Sequence, residues 1–195
     1  MASTGLDSFY DFVEDPARSA EAARRRPPVA LAVLAYVAAA AGLFAAQGLA
    51  GRVAFLGVSW PALAFSAAWS LGSGAFFAAA VHLAAEAAGG KGSALTLFSL
   101  FGFSRLAWAL SLPCVLLTKA FLPGAGGLIG VIFVLAGLWV VTLETRSVRL
   151  AYGFGRGRAL GVLLAPYIAL GVACLMLVAA AVWGLVYQVI RLAAR

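Results

Sequence analysis

Charge is missing from most of this chain, and it is missing in blocks. Pro27–Gly51, Val53–Ala85, Ala120–Leu143 and Ala159–Ile190 contain no Asp, Glu, Lys or Arg, and Gly92–Ser104 is divided from Leu106–Thr118 only by Arg105. A helix needs roughly 20 apolar residues to cross a hydrocarbon core of about 30 Å. No water reaches that core, so each stretch must close its own backbone hydrogen bonds as a helix. The apolar–polar alternation of a membrane barrel is absent. Hydrophobic residues make up 64% of the chain and charged ones 11%, against about 45–50% and 25% in soluble domains. Together with a mean hydropathy of +1.02, this excludes a soluble enzyme, a disordered regulator and a disulfide-stapled secreted module. The expected fold is an all-α, polytopic transmembrane bundle.

Reading along the chain, residues 1–27 form a cytoplasmic tail. Within it Leu6, Phe9, Tyr10 and Val13 recur at i, i+3, i+4 and i+7 with Asp7, Asp11 and Glu14 between, the pattern of a short amphipathic helix at a membrane surface. Asp15-Pro16 then breaks the chain and opens a second helical turn. A single bundle is expected over 28–190, with spans at 29–49, 61–88, 104–118, 126–143 and 159–190 and a short tail at 191–195. Residues 94–103 read as an interfacial or half-buried helix preceding the third span. The last stretch exceeds one crossing and must tilt or project.

Lysines and arginines orient such a bundle. With a cytoplasmic N-terminus the inside holds Arg18, Arg24, Arg25, Arg26, Lys91, Arg146, Arg149, Arg156 and Arg158, and the outside Arg52, Lys119, Arg191 and Arg195. That imbalance predicts a cell-membrane protein with its N-terminus inside and its C-terminus outside. The net charge of +7 resides in these clusters at helix ends. Arg24, Arg25, Arg26, Arg146, Arg149, Arg156 and Arg158 are therefore expected to contact lipid headgroups. A basic face interleaved with aromatics, which nucleic acid would require, is missing. Cys114 and Cys174 lie in apolar spans and read as small hydrophobes.

Ionisable groups inside a bilayer are costly and are functional candidates. His82, Glu86 and Arg105 qualify. His82 and Glu86 are four residues apart and share a helical face, which continues back through Ala78, Gly74, Ser70 and Ser66 as a row of small residues that would let another helix approach closely. Arg105, at the start of the next span, is the expected countercharge for Glu86. Two readings stay open: a structural Glu86–Arg105 pair with His82 beside it, or a His82–Glu86 relay for protons or a ligand.

Catalytic, metal and cofactor chemistry find no foothold. There is no HExxH, no second histidine and no aspartate within a span, and a metal site needs more ligands than this interior supplies. Gly89-Gly90-Lys91-Gly92-Ser93 lacks the spacing and preceding strand of a phosphate-binding loop. Gly89, Gly90 and Gly92 read as a hinge, and Gly153–Arg158 as a flexible basic turn.

His82-Leu83-Ala84-Ala85-Glu86-Ala87-Ala88-Gly89-Gly90-Lys91-Gly92-Ser93 resembles the end of the second span and the Gly-Gly-x-Gly hinge of Yip1-domain membrane proteins. Leu97-Phe98-Ser99-Leu100-Phe101-Gly102-Phe103 is similar to that family's short helix ending in a Gly-aromatic pair. Leu138-Trp139, then Ser147 through Leu160, resemble its fourth span, basic loop and entry to the fifth, and Phe12–Pro16 its N-terminal segment. Where family members often carry a proline after the Gly-aromatic pair, this chain has Ser104-Arg105-Leu106, and proline comes at Pro113.

The resemblance implies a five-span bundle with a cytoplasmic N-terminus. The excess of Arg over Lys, with abundant Ala and Gly, places the chain among prokaryotic-type members. The small-GTPase contacts of eukaryotic members are not carried over, since the tail offers no obvious docking module. The expected function is a non-enzymatic membrane adaptor or organiser, acting on lipid and on other membrane proteins or copies of itself. The alternative is a small permease, channel or transporter subunit using His82, Glu86 and Arg105.

Overall fold

Prolines, hydroxyls and glycines set where the helices begin and end. In the computed structural model, which describes residues 14, 16–52 and 57–193, α1 spans Pro16–Arg25, α2 Val29–Leu49, α3 Trp60–Ala87, α4 Ala94–Arg105, α5 Ser111–Phe121, α6 Gly126–Tyr152 and α7 Arg156–Ala193. The expected amphipathic helix around Leu6, Phe9, Tyr10 and Val13 lies outside the described residues. Pro16 opens α1 and Pro61 lies in the first turn of α3, where a missing N–H costs nothing. The Ser59 hydroxyl accepts the Ala62 N–H at 3.4 Å and caps α3. At the other ends, Gly89 and Gly153 adopt left-handed φ values of 79° and 71°. The next residue then returns its N–H to a carbonyl five positions back, Gly90 to Ala85 at 2.8 Å and Phe154 to Arg149 at 3.2 Å. Only a residue that tolerates positive φ closes a helix this way.

Among the described residues, five helical runs are long and apolar enough to cross a membrane: Val29–Leu49, Trp60–Ala87, Ala94–Phe121, Gly126–Tyr152 and Arg156–Tyr187. The third joins α4 to α5 through a 3-10 stretch, Leu106–Leu110. Pro113 explains its position. Proline cannot bond to the carbonyl four residues back and its ring crowds that carbonyl, here on Ala109, so the preceding turn departs from regular α geometry.

α4 is also more enclosed than a half-buried or interfacial helix would be. Thr96, Leu97 and Ser99 through Ser104 are all buried, because α4 packs against α1, α2, α3 and α6. Small residues make the approach possible. A Cβ added to Gly102 would lie 2.9 Å from the Ala32 carbonyl oxygen, and one on Gly42 would lie 2.8 Å from the Ala109 Cα. α2 thus meets both α4 and the 3-10 turn almost backbone to backbone.

The main core gathers around Tyr36, Val81, Leu97, Phe101, Val148 and Leu163, near the end of the bundle where the hinge and basic loop lie. A much smaller cluster, Ala46, Val115 and Ile129, occupies the far end. α7 joins the core only through its first turns. From Tyr167 to Tyr187 every residue is exposed, which suits an apolar helix whose surroundings are lipid.

Candidate functional site

Arg105 does not meet Glu86. Its Nε donates to Oε1 of Glu144 at 3.1 Å, with the Glu144 side chain only 4% exposed. Depth along the helices explains the correction. Glu86 lies in the last turn of α3, beside the hinge, whereas Arg105 ends α4, about 16 Å further along the axis from Ala94. α6 returns to the hinge at Tyr152, so Glu144 lies about 12 Å deeper than that point and nearly level with Arg105. The pair is flanked by buried hydroxyls: Ser104 and Ser147 approach to 3.3 Å, and each also donates to the carbonyl four residues back.

Glu144 stands one residue past the apolar run, which ends at Leu143, and so escapes a search for charges inside spans. The signal that finds it is periodic. Val140, Glu144, Ser147, Val148 and Ala151 are all buried and lie along one row of α6, so the buried face outlasts the apolar stretch.

His82 has a different set of partners. Its Nε2 faces Glu86 Oε1 at 3.4 Å, and its Nδ1 shares a hydrogen bond of 2.6 Å with the Tyr152 hydroxyl. With the ring proton on Nε2, toward the carboxylate, Nδ1 accepts from the tyrosine. The carboxylate end is open, with the Glu86 side chain 55% exposed. Tyr152 lies over the hinge. A Cβ on Gly92 would sit 2.4 Å from its ring, and one on Gly90 would meet both Tyr152 and Phe154 at 2.7 Å. Gly90 and Gly92 therefore admit Tyr152, the last residue of α6, and Phe154 of the loop that follows it against the chain, while Gly89 supplies the positive φ. Nothing in the glycine spacing of the hinge marks that contact.

The small-residue row on α3 divides in two. Gly74 and Ala78 are buried, whereas Ser66 and Ser70 are half-buried. Over Gly74 lies the ring of Tyr36 from α2, with its Cε1 2.4 Å from where a Cβ would stand. Tyr36 also stacks on Phe98 at 4.9 Å. A tyrosine midway along the apolar α2 is the sequence feature that marks this contact.

The arginines separate by task. Arg24 from α1 donates to the carbonyls of Leu150 and Ala151 in the last turn of α6, the latter at 2.7 Å. Arg158 donates to the Ala88 carbonyl at the end of α3 and stacks its guanidinium on Phe154 at 4.7 Å. Carbonyls at a helix C-terminus lack intrahelical partners and carry the negative end of the dipole, so a guanidinium is favourable there. Arg25 pairs with Glu21 on the surface, and Arg26 is exposed. Arg146, Arg149 and Arg156 instead line an open cleft between α6 and α7. Among the described residues no three His, Cys, Asp or Glu side chains converge to hold a metal, and both cysteines are free and exposed.

A helical bundle with five long apolar helices, an exposed apolar flank and basic residues gathered at its helix ends is a multi-pass integral membrane protein. The chain belongs to the Yip1-domain family, whose model matches residues 10–191. No curated protein and no solved structure matches it at a significant level.

Proposed function

We propose that the protein is a non-enzymatic adaptor or organiser of the cell membrane, acting through helix–helix and lipid contacts, with its N-terminus cytoplasmic and its C-terminus outside. The observation that carries this reading is how the interior ionisable groups are used. Arg105 is spent on Glu144, and His82 is held between Glu86 and Tyr152. A permeation path requires several polar side chains facing a common cavity. The transporter alternative rests on His82, Glu86 and Arg105 acting together, and the partners of Arg105 argue against it. The orientation is supported by the distribution of basic residues between the helix ends.

Purified protein in liposomes tests the proposal. His82→Ala should leave proton permeability at the level of protein-free vesicles, as wild type does. A wild-type flux abolished by His82→Ala in a folded protein would establish the transporter reading. Reporter fusions after Arg158 should be active only in the cytoplasm and fusions after Arg195 only outside. Reporters at both positions active on the same side would refute the five-span orientation.

A further inference from the structure

Arg146, Arg149 and Arg156 surround a cleft of ≈ 780 Å³ where the end of α6 meets the start of α7. Unlike Arg24 and Arg158, these three side chains neither cap a helix nor pair with a carboxylate among the described residues. Three arginines lining one cleft with no carboxylate among its lining residues repel one another, and an anion relieves that repulsion. We propose that the cleft binds the phosphate of one anionic phospholipid headgroup. The inference rests on the membrane reading above and adds to it a defined site of single occupancy.

Depth, lining and access all favour a lipid as the source of that phosphate. Arg146 and Arg149 follow the apolar run of α6, which ends at Leu143, by about 4 and 9 Å of helix. The polar layer on each side of a bilayer is roughly 5–8 Å thick, so Arg146 lies within it and Arg149 at its outer edge, from which a long side chain reaches back to the headgroups. Arg156 precedes the apolar run of α7 by a similar margin and reaches the same level. Val141 and Leu160 supply the apolar wall of the cleft, and the same row of α6 continues below it through exposed Leu138, Val134 and Val131, a surface for acyl chains.

The threonines of the cleft do not compete for the role of donor. Thr142 donates to the Leu138 carbonyl and Thr145 to that of Val141. The guanidiniums remain, together with the backbone at Gly157, where nothing lies within 4 Å of a Cβ position. Guanidinium forks match phosphate oxygens in pairs, so the site favours a phosphate that keeps its negative charge uncompensated over one bearing a quaternary amine.

Native mass spectrometry of the full chain, with phosphatidylglycerol and phosphatidylcholine added in turn, tests the site. One phosphatidylglycerol per chain should be retained under conditions that strip phosphatidylcholine. Arg146→Gln/Arg149→Gln/Arg156→Gln should weaken that binding at least about tenfold. Arg18→Gln/Lys91→Gln, which also removes positive charge from the same end, should change it less than about twofold. Weakening by this variant that matches the cleft variant charge for charge, or binding that never saturates, would overturn the site in favour of general surface attraction. Competition by free inorganic phosphate at the concentration of the lipid would overturn the lipid as its source. Should the cleft variant fail to fold, a wild-type measurement decides: a photoactivatable phosphatidylglycerol should label the segments 141–149 and 156–160, and labelling elsewhere refutes the proposal. Loss of this site would leave the topology and flux results untouched, so the two readings fail separately.

Discussion

The two ends of the bundle are built on different terms. Where the tail, the Gly-Gly-x-Gly hinge and the basic loop meet, several polar groups are tied to another segment. Arg24 holds α6, Arg158 holds α3, Thr96 donates to the Ala23 carbonyl at 3.3 Å, His82 holds Tyr152 and Arg105 holds Glu144. Among the described residues, the far end has three buried side chains in its cluster and a last helix in which every residue from Ile168 to Tyr187 is exposed. One end is specified by protein contacts and the other by the solvent it sits in. In lipid, apolar side chains gain little by leaving the acyl chains for one another, so close packing and hydrogen bonds must hold helices together. The first end has both devices, and the second has few of either.

The largest effect should come from breaking the buried ion pair. Glu144→Gln leaves Arg105 without its counterion, and losing one partner of a buried pair costs about 3–5 kcal/mol. Thermal unfolding in detergent should register it as a large drop in midpoint or as lost yield, whereas Glu86→Gln should cost far less. Equal losses would erase the distinction between the buried pair and the open rim.

Overpacking the contact between α2 and α3 should rank second. Gly74→Ala drives a methyl group into the Tyr36 ring, where forced core rearrangement costs about 1–3 kcal/mol, and Gly74→Leu should be worse. A paired Tyr36→Ala change, which removes the ring, should recover part of the loss. If it recovers nothing, the ring is not what Gly74 accommodates.

The smallest effect belongs to the far end. Leu175→Ala or Leu185→Ala removes side chains that are 68% and 64% exposed, and each should shift stability by no more than about 0.5 kcal/mol. A loss of several kcal/mol in dilute detergent would mean that this helix packs against protein, and its dependence on protein concentration would then identify a second copy.

Much of this contrast is written in the sequence, and its omissions have one cause. The spans depend on where charge is absent, which can be read residue by residue, and the charge-free blocks anticipate five long helices, although Arg105 divides the third, which runs Ala94–Phe121 rather than 104–118. Pairings depend on depth, which accumulates along helices that must first be assembled. Arg105 and Glu86 are neighbours along the chain around a hinge, yet α4 carries Arg105 a further 16 Å or so along its axis. Glu144 was hidden by the opposite effect, a buried row that runs on past the end of the apolar stretch. Gly74 could be named from i, i+4 spacing alone. That Tyr36 lies over it, and that Tyr152 lies over Gly92, required the packed chain.

Arg105 is a structural group locked to Glu144, and a pair of double-mutant cycles puts that pairing to the test. Unfolding free energies would be measured in detergent for Arg105→Gln, Glu144→Gln, Glu86→Gln and the two double variants that contain Arg105→Gln. Coupling of about 1–3 kcal/mol is expected between Arg105 and Glu144, and less than about 0.5 kcal/mol between Arg105 and Glu86. Strong coupling to Glu86 with none to Glu144 would contradict the account and restore a single His82–Glu86–Arg105 cluster.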